Sequence, residues 1–385
     1  MKRVRLRTTR AGGQPVIFRK MVAGADPGTG NGEAVEIVDD HDRVLGRGFY
    51  NRRSEMAVRI LERGPGPDLD EAWLRKRLEA CVSLRRDALG LDRDGDAWRC
   101  VNSEGDGLSG LVVDRYAGLV VVQVQALGWF RRAVEIKDAL RVLLKPHGFA
   151  FLADPEVERI EGFRVLGNAD GGGPVEIREH GVKFLVDPSG GHKTGFFLDQ
   201  REHRRRMQDR AKGKRVLDLF CCSGGFSLAA AKGGAAKVLG VDLDEDAIAQ
   251  ARANAARNGA PASVSFKHGD AFDALRDAKP GEWEIVVCDP PKLAAKRDAV
   301  PGALRKYEDM NALAFAKVAP GGIVVSASCS GLVSESDFLG ALSRAALKAG
   351  REVRVTEVGG ASPDHPWTLS HPAGRYLKVV WSRVG

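Results

Sequence analysis

The runs Ala34–Asp40 (AVEIVDD), Arg43–Tyr50 (RVLGRGFY) and Met56–Leu61 (MAVRIL) alternate apolar and polar positions with a period near two. Turn residues separate them, Asp40-His41-Asp42 and Asn51-Arg52, so short strands of a small β domain are predicted, as a barrel or roll. The breaker run Gly64-Pro65-Gly66-Pro67 closes this domain, which we place at 1–70. The period then lengthens. From Asp70 onward Leu74, Leu78, Cys81 and Val82 share one face of a predicted helix, with Arg75, Arg77, Arg85 and Arg86 largely opposite. Residues 97–125 read as two or three strands, 129–144 as a helix, and 149–153 and 175–186 as further strands. Linking helix and strands form a central α+β domain, 71–188.

A third domain is predicted over 189–385. It opens on GGHKTGFFLDQREHRRRMQDRAKGKR, where Phe196 and Phe197 are expected to pack or to face a cofactor. The helix that follows carries Arg201, Arg204, Arg205, Arg206 and Arg210; such a run is usually a solvated face, with phosphate contact the alternative. Beyond it strands and helices alternate: strands at 216–220, 238–241, 264–270, 284–292 with its polar tip, and 323–330, then two nearly consecutive strands at the C-terminus. Seven strands of which five alternate with helices make a doubly wound, Rossmann-like sheet with an antiparallel end.

Ligands bind such sheets beyond the carboxyl ends of the strands. The stretch KRVLDLFCCSGGFSLAAAKGGAAKVLGVD, 214–242, is a βαβ unit whose small-residue turn brings backbone close to a ligand. Asp218, Phe220, Ser223, Gly224 and Gly225 belong to that turn, and Asp242 at the next tip is placed to accept hydrogen bonds from a ribose diol. The dinucleotide pattern G-x-G-x-x-G is absent, and an aspartate opening the turn favours S-adenosylmethionine (SAM) over a nicotinamide cofactor. Asp270, at the third tip, suits the adenine amino group. Asp289-Pro290-Pro291-Lys292 and Ser328-Cys329-Ser330 supply the remaining tips.

Composition narrows the setting. The chain has 385 residues, 43% apolar and 29% charged, and a net charge of +8. That balance suits a polyanionic partner without requiring one. Its six cysteines form no C-x-x-C pair, so neither a zinc site nor a disulfide framework is expected. No apolar stretch reaches membrane-span length and no signal peptide is evident, which points to a cytoplasmic protein.

Methyl transfer to an amino nitrogen usually follows Asn/Asp-Pro-Pro with an aromatic ring; Lys292 stands there instead. Methylation at C5 of a pyrimidine needs a thiolate to add at C6 and a carboxyl group to engage the base as charge develops. Cys329 precedes a helix start marked by Ser334 and Asp337, which would favour a thiolate. Cys288 is expected to be buried and inert, and Cys221 and Cys222 to pack within the turn. Rival readings are a purine-amine RNA methyltransferase, a non-catalytic RNA-binding assembly factor and, more remotely, a nicotinamide oxidoreductase.

DLFCCSGGFS, GHKTGFFLDQR, CDPPK, SCSG and Asp364-His365-Pro366 together resemble the bacterial and archaeal large-subunit ribosomal RNA methyltransferases of the I-type group, which make 5-methylcytosine. The resemblance covers nearly the whole chain. It implies an N-terminal PUA domain, to which GRGFYN at 46–51 is similar, a central domain that helps hold RNA, and a SAM domain. It implies Cys329 as nucleophile, Asp289 as the acid contacting the base, and Asp242 and Asp270 as ribose and adenine contacts, with large-subunit rRNA as partner. Cys222 stands where many SAM enzymes have glycine, and QPVIFRK at 14–20 lacks the usual aromatic pattern of the PUA start. The oligomeric state stays open, a homodimer included.

Overall fold

The computed structural model describes residues 1–7, 13–165, 173–188 and 195–385. Arg10, Lys193 and the segment Gly191–Thr194 of the GHKT motif lie outside them. Packing divides the chain into two units: Met1–Arg178 with Val186–Leu198 and Pro363–Gly374, and Glu179–Leu185 with Asp199–Ser362 and Arg375–Gly385.

In the first unit β1 (Arg3–Leu6), β2 (Val16–Ile17), β3 (Val22–Ala25), β4 (Glu33–Val38), β5 (Val44–Tyr50) and β6 (Val58–Arg63) form one six-stranded sheet, in the order β2-β6-β5-β4-β1-β3. The alternation seen in sequence buries Val35, Ile37, Val58 and Ile60 against Val4, Leu6 and Ile17. Helix α1 (Glu71–Ser83) starts where expected, Asp70 accepting from the Trp73 N–H. A second, four-stranded sheet follows, β7 (Ala97–Asn102), β8 (Leu111–Tyr116), β9 (Leu119–Val124) and, after two helices, β10 (Gly148–Leu152) parallel to β9. The helix expected at 129–144 is two, α2 (Leu127–Arg131) and α3 (Ala133–Leu144), because Arg132 leaves helical geometry at φ −102°, ψ 16°. A short helix unforeseen in sequence, α4 (Pro155–Glu161), begins on an Asp154 cap with proline in its first turn.

One sequence reading changes here, the facing of Arg85. Phe49 and Tyr50 are buried, Phe49 meeting Trp129 edge to face at 4.8 Å, and Arg47 pairs with Asp68 at 3.0 Å. The GRGFYN rings are therefore core, as aromatic residues of a small β domain usually are. Arg85 is 0% exposed. Arg85 stands four residues after Cys81 and seven after Leu78, so helical spacing puts it on the buried face rather than opposite, where the helix ends in a π-helical turn over Leu84–Ala88. There it grips both oxygens of Asp106, at 2.7 and 2.8 Å, and donates to the Asp364 carbonyl at 2.7 Å, while an Asp364 carboxylate oxygen accepts from the Arg99 N–H.

β11 (Val175–Glu179) and β12 (Val182–Val186) pair as a separate two-stranded sheet, and α5 (Arg201–Arg210) follows. The second unit is built on seven strands: β13 (Arg215–Leu219), β14 (Lys237–Asp242), β15 (Val264–His268), β16 (Trp283–Cys288), β17 (Val318–Ser328), β18 (Val353–Gly359) and β19 (Lys378–Val384). Their order is β15-β14-β13-β16-β17-β19-β18, the first five parallel and β19 antiparallel to both neighbours, as the alternation predicts. Both faces are covered, so the strands read as continuous apolar runs. Leu217, Leu219 and Val286 meet one layer, which includes α8 (Ala271–Asp277), α9 (Val300–Lys317) and α10 (Glu335–Ala349). Val216, Val238 and Ile285 meet residues of α5 and of α6 (Gly225–Lys232) on the other side. The arginines of α5 do not form one solvated face: Arg201 and Arg204 are buried, Arg204 grips Glu179, and Arg206 and Arg210 converge on Glu357.

Removing the Arg85 cation leaves the Asp106 carboxylate buried without its counter-charge. Arg85→Met is expected to cost about 3–5 kcal/mol of stability in urea denaturation; a loss under about 1 kcal/mol contradicts the buried-pair account.

Candidate functional site at the strand tips

The turn after β13 holds three left-handed residues in succession of alternate positions, Phe220 (φ 60°), Cys222 (φ 47°) and Gly224 (φ 86°). Two of them are not glycine, and such strain persists only where surroundings over-determine it. They do so from three sides. Beneath, Asp218 is 1% exposed and one of its oxygens accepts from both the Ser227 N–H (2.8 Å) and hydroxyl (2.7 Å). Beside, Asp242 accepts from the Cys222 N–H at 2.8 Å and, on its other oxygen, from the Asp244 N–H at 3.0 Å. Behind, Asn254 of α7 (Glu245–Arg257) donates to the Ser223 carbonyl at 3.1 Å. A side chain at Gly224 would press on the Phe266 ring at 3.2 Å as well as strain the backbone.

Burial pushes the Asp218 carboxyl up to about 7, the Ser227 bonds opposing and the nearby Asp289 and Asp242 charges adding to the rise. Its second oxygen has no hydrogen-bond partner among the described residues. Asp242 uses one acceptor position on each oxygen, and a carboxylate offers about four, so both oxygens can still take a hydroxyl. Asp270 caps α8, one oxygen accepting from Phe272 N–H (2.8 Å) and Asp273 N–H (3.1 Å). Asp218, Phe220, Ser223, Gly224, Gly225, Asp242, Asp270, Asp289 and Cys329 all lie in the second unit at the carboxyl ends of β13 to β17. Phe196 falls in the first unit, buried, with its carbonyl 3.5 Å from the Tyr116 hydroxyl.

The fourth and fifth tips meet. Asp289 accepts from the Gln200 amide at 2.9 Å, and Cys329 Sγ lies 4.0 Å from the Pro290 carbonyl oxygen. Ser330 ties the two loops: its hydroxyl oxygen accepts from the Leu293 N–H (3.1 Å) and Ala294 N–H (3.2 Å) and lies 3.2 Å from the Tyr307 hydroxyl. Ser334 caps α10, accepting from the Asp337 N–H at 3.0 Å. Cys329 is half-buried, whereas Cys288 is fully buried, where desolvation raises its thiol far above the ordinary range. Desolvation also raises Cys221 and Cys222. Gln200, Asn254, Tyr307 and the buried Lys378 went unassigned in sequence. Gln200 stands in the D-Q-R motif, while Tyr307 and Lys378 carry no local pattern at all.

A model of the S-adenosylmethionine-dependent methyltransferase family matches residues 169–350, and one of the PUA-like domain matches 9–63. A Streptococcus mutans protein provisionally assigned as a SAM-dependent methyltransferase superposes with a TM-score of 0.81 at 20% identity, covering 100% of both chains. A crystal structure of a protein in complex with S-adenosylhomocysteine superposes with a TM-score of 0.82, again at 20% identity and 100% coverage of both. Fold and turn thus define a class, the SAM-dependent methyltransferases, with a PUA-like N-terminal domain. Ribosomal RNA large subunit methyltransferase I of Photobacterium profundum is 38% identical over 355 residues, 90% of this chain and 89% of the relative. Ribosomal RNA large subunit methyltransferase of Deinococcus radiodurans is 36% identical over 405 residues, 99% and 98% of the two. The chain belongs to the ribosomal RNA large subunit methyltransferase I family.

Because the folded state raises the Asp218 carboxyl, it favours the protonated acid. The stability this group contributes is complete below an unfolded value near 4 and lost as pH rises through about 7. Measured against Asp218→Asn by chemical denaturation, the wild-type protein should therefore lose relative stability between those limits. A difference that does not change with pH rejects a raised Asp218.

Proposed function

We propose that the protein methylates C5 of a cytosine in large-subunit ribosomal RNA, with Cys329 as nucleophile. The observation that supports this most is the meeting of the Cys329 loop with the Asp289-Pro290 loop, which leaves a half-buried thiol 4.0 Å from the Pro290 carbonyl oxygen at the edge of the SAM turn. The activity for which the relatives are named, ribosomal RNA large subunit methyltransferase, and the PUA-like domain support RNA as substrate.

The chain's groups fit SAM. The Gly224-Gly225 turn admits close backbone approach, Asp242 keeps open acceptor positions for the ribose hydroxyls, and the Asp270 oxygen not used in capping can accept from the adenine amine. Asp218 holds the turn from beneath. When bound, SAM would supply a methyl group on a sulfonium sulfur, the S–CH3 bond breaking as C5–CH3 forms and its electron pair staying on that sulfur.

A target base must leave its stack to enter such a pocket. The Cys329 thiolate then adds to C6, the C5–C6 π pair moves to C5, and negative charge develops toward N3. Asp289, steadied by Gln200, engages N3 and the exocyclic amine, its carboxyl taking up a proton that it shares with N3 as that charge builds. Once C5 carries the methyl group, loss of its proton to a base restores the C5–C6 double bond and expels the thiolate, the C6–S electron pair returning to sulfur. Lys292 in place of an aromatic ring weighs against transfer to an amino nitrogen.

Cys329→Ala should abolish methyl incorporation while retaining SAM affinity, since the thiol acts on the base rather than on the cofactor; full turnover by this variant would refute the nucleophile. Nucleoside mass spectrometry of the RNA product should show 5-methylcytosine, and a methylated purine amine in its place overturns the chemistry. Asp242→Ala should weaken SAM binding about ten- to a hundred-fold by isothermal titration, the range for hydrogen bonds to a charged group. Unchanged affinity removes Asp242 from the cofactor site.

A further inference from the structure

Lys378, in β19, is 2% exposed. Lysine is almost never buried so deeply without a partner charge, yet no carboxylate lies within ion-pair distance of this one among the described residues. Its ammonium nitrogen instead donates to three carbonyl oxygens, of Ser330, Val333 and Tyr376, each at 2.8 Å. Two of the three belong to the loop that carries Cys329. Three such bonds use every hydrogen an ammonium has, whereas a neutral amine would turn its lone pair on one of those oxygens. The geometry therefore specifies the charged form. Burial nonetheless depresses the group to about 8, and the charge that most opposes this depression is that of Cys329.

We propose that Lys378 is a positioning residue for the reaction, pinning the loop that presents Cys329 and, as a buried cation, favouring its thiolate over its thiol. The sulfur's proton leaves to solvent and the electron pair stays on sulfur; the lysine keeps all three of its own protons. Coupling between two titrating groups is reciprocal, so a thiolate that supports the ammonium is supported by it equally. The other charges facing this corner differ in effect. Asp289 opposes a second negative charge, and it is neutral Gln200 that donates to it. Tyr307 has a hydroxyl that burial raises and that lies near Ser330, so it stays neutral. Glu335 and Arg375 pair with each other at 2.6 Å and largely cancel. Cys288, at the neighbouring tip without such a cation, is raised by burial and by Asp289. The bearing of Lys378 on methyl transfer rests on the nucleophile reading above; its effect on the thiol does not.

The test is the pH dependence of iodoacetamide alkylation at Cys329 in the purified full chain, read by peptide mass spectrometry so that each cysteine is followed separately. Lys378→Met is expected to raise the Cys329 midpoint by about one unit or more, lowering its alkylation rate at pH 7 roughly ten-fold, while that of Cys222 is unchanged. Lys378→Arg keeps the cation and should keep the midpoint at or near that of wild type. A Met variant that still binds SAM as wild type does, with its Cys329 midpoint unmoved, overturns the proposal. Should the Met variant fail to fold, the reciprocal measurement decides. In NMR of protein labelled with carbon-13 lysine, Cys329→Ala must lower the Lys378 midpoint, and an unmoved midpoint overturns the proposal equally. Neither readout uses RNA, so an inactive Cys329→Ala with unmoved midpoints sinks the lysine's role alone. An active Cys329→Ala with shifted midpoints sinks the nucleophile alone.

Discussion

A single carboxylate oxygen of Asp218 accepts both the backbone N–H and the hydroxyl of Ser227, and the geometry of the cofactor turn depends on it. The strand must end, reverse and open a helix within a few residues, which places Phe220 and Cys222 in a backbone region that side chains rarely adopt. Such a turn would relax if its two ends were free to part. Asp218 ties its start to the first turn of α6, and Asp242 ties its middle to the neighbouring strand through the Cys222 N–H. The cost is a nearly inaccessible acid whose second oxygen is left without a bond among the described residues. The positions that read in sequence as ligand contacts therefore also build the surface on which a ligand rests.

The thiol side is held differently, by neutral donors and one cation. Ser330, Tyr307 and Lys378 come from a strand tip, a helix and the final strand, and they meet because a parallel sheet gathers its loops at one edge. Together they fix the Cys329 loop against the Pro290 loop without enclosing the sulfur itself. Nearby Cys288, the last residue of β16, is buried in the core and its thiol is raised by burial. Cys329 stands just past the end of β17, in the loop, and is only half-buried.

In the first unit, residue type misled where facing mattered. The Phe49 and Tyr50 rings beside Arg47 have the composition of a nucleic-acid surface, but they point to opposite faces of their strand and each is buried, Phe49 against Trp129 and Tyr50 among Val35, Ile37 and Val58. Arg85 looked like one more member of a solvated arginine face, yet its spacing from Leu78 and Cys81 is that of the buried face, and Asp106 meets it there. The type of the side chain hid what the local helical spacing already held.

The sequence alone determined the seven-stranded alternation, the small-residue turn, the acids at successive strand tips and the placing of Cys329 at a tip, because period and turn chemistry are local properties of a chain. It also determined the β domain at the start and the capped helix after it, which follow from alternation and from Asp70. Only the tertiary structure decided which acids are spent on backbone, which arginines are buried, and that Gln200, Tyr307 and Lys378 stand around the Cys329 and Pro290 loops. Those outcomes depend on side chains brought together across the sheet from segments as far apart as residues 200 and 378, and a buried charge or hydroxyl is recognised only by what surrounds it.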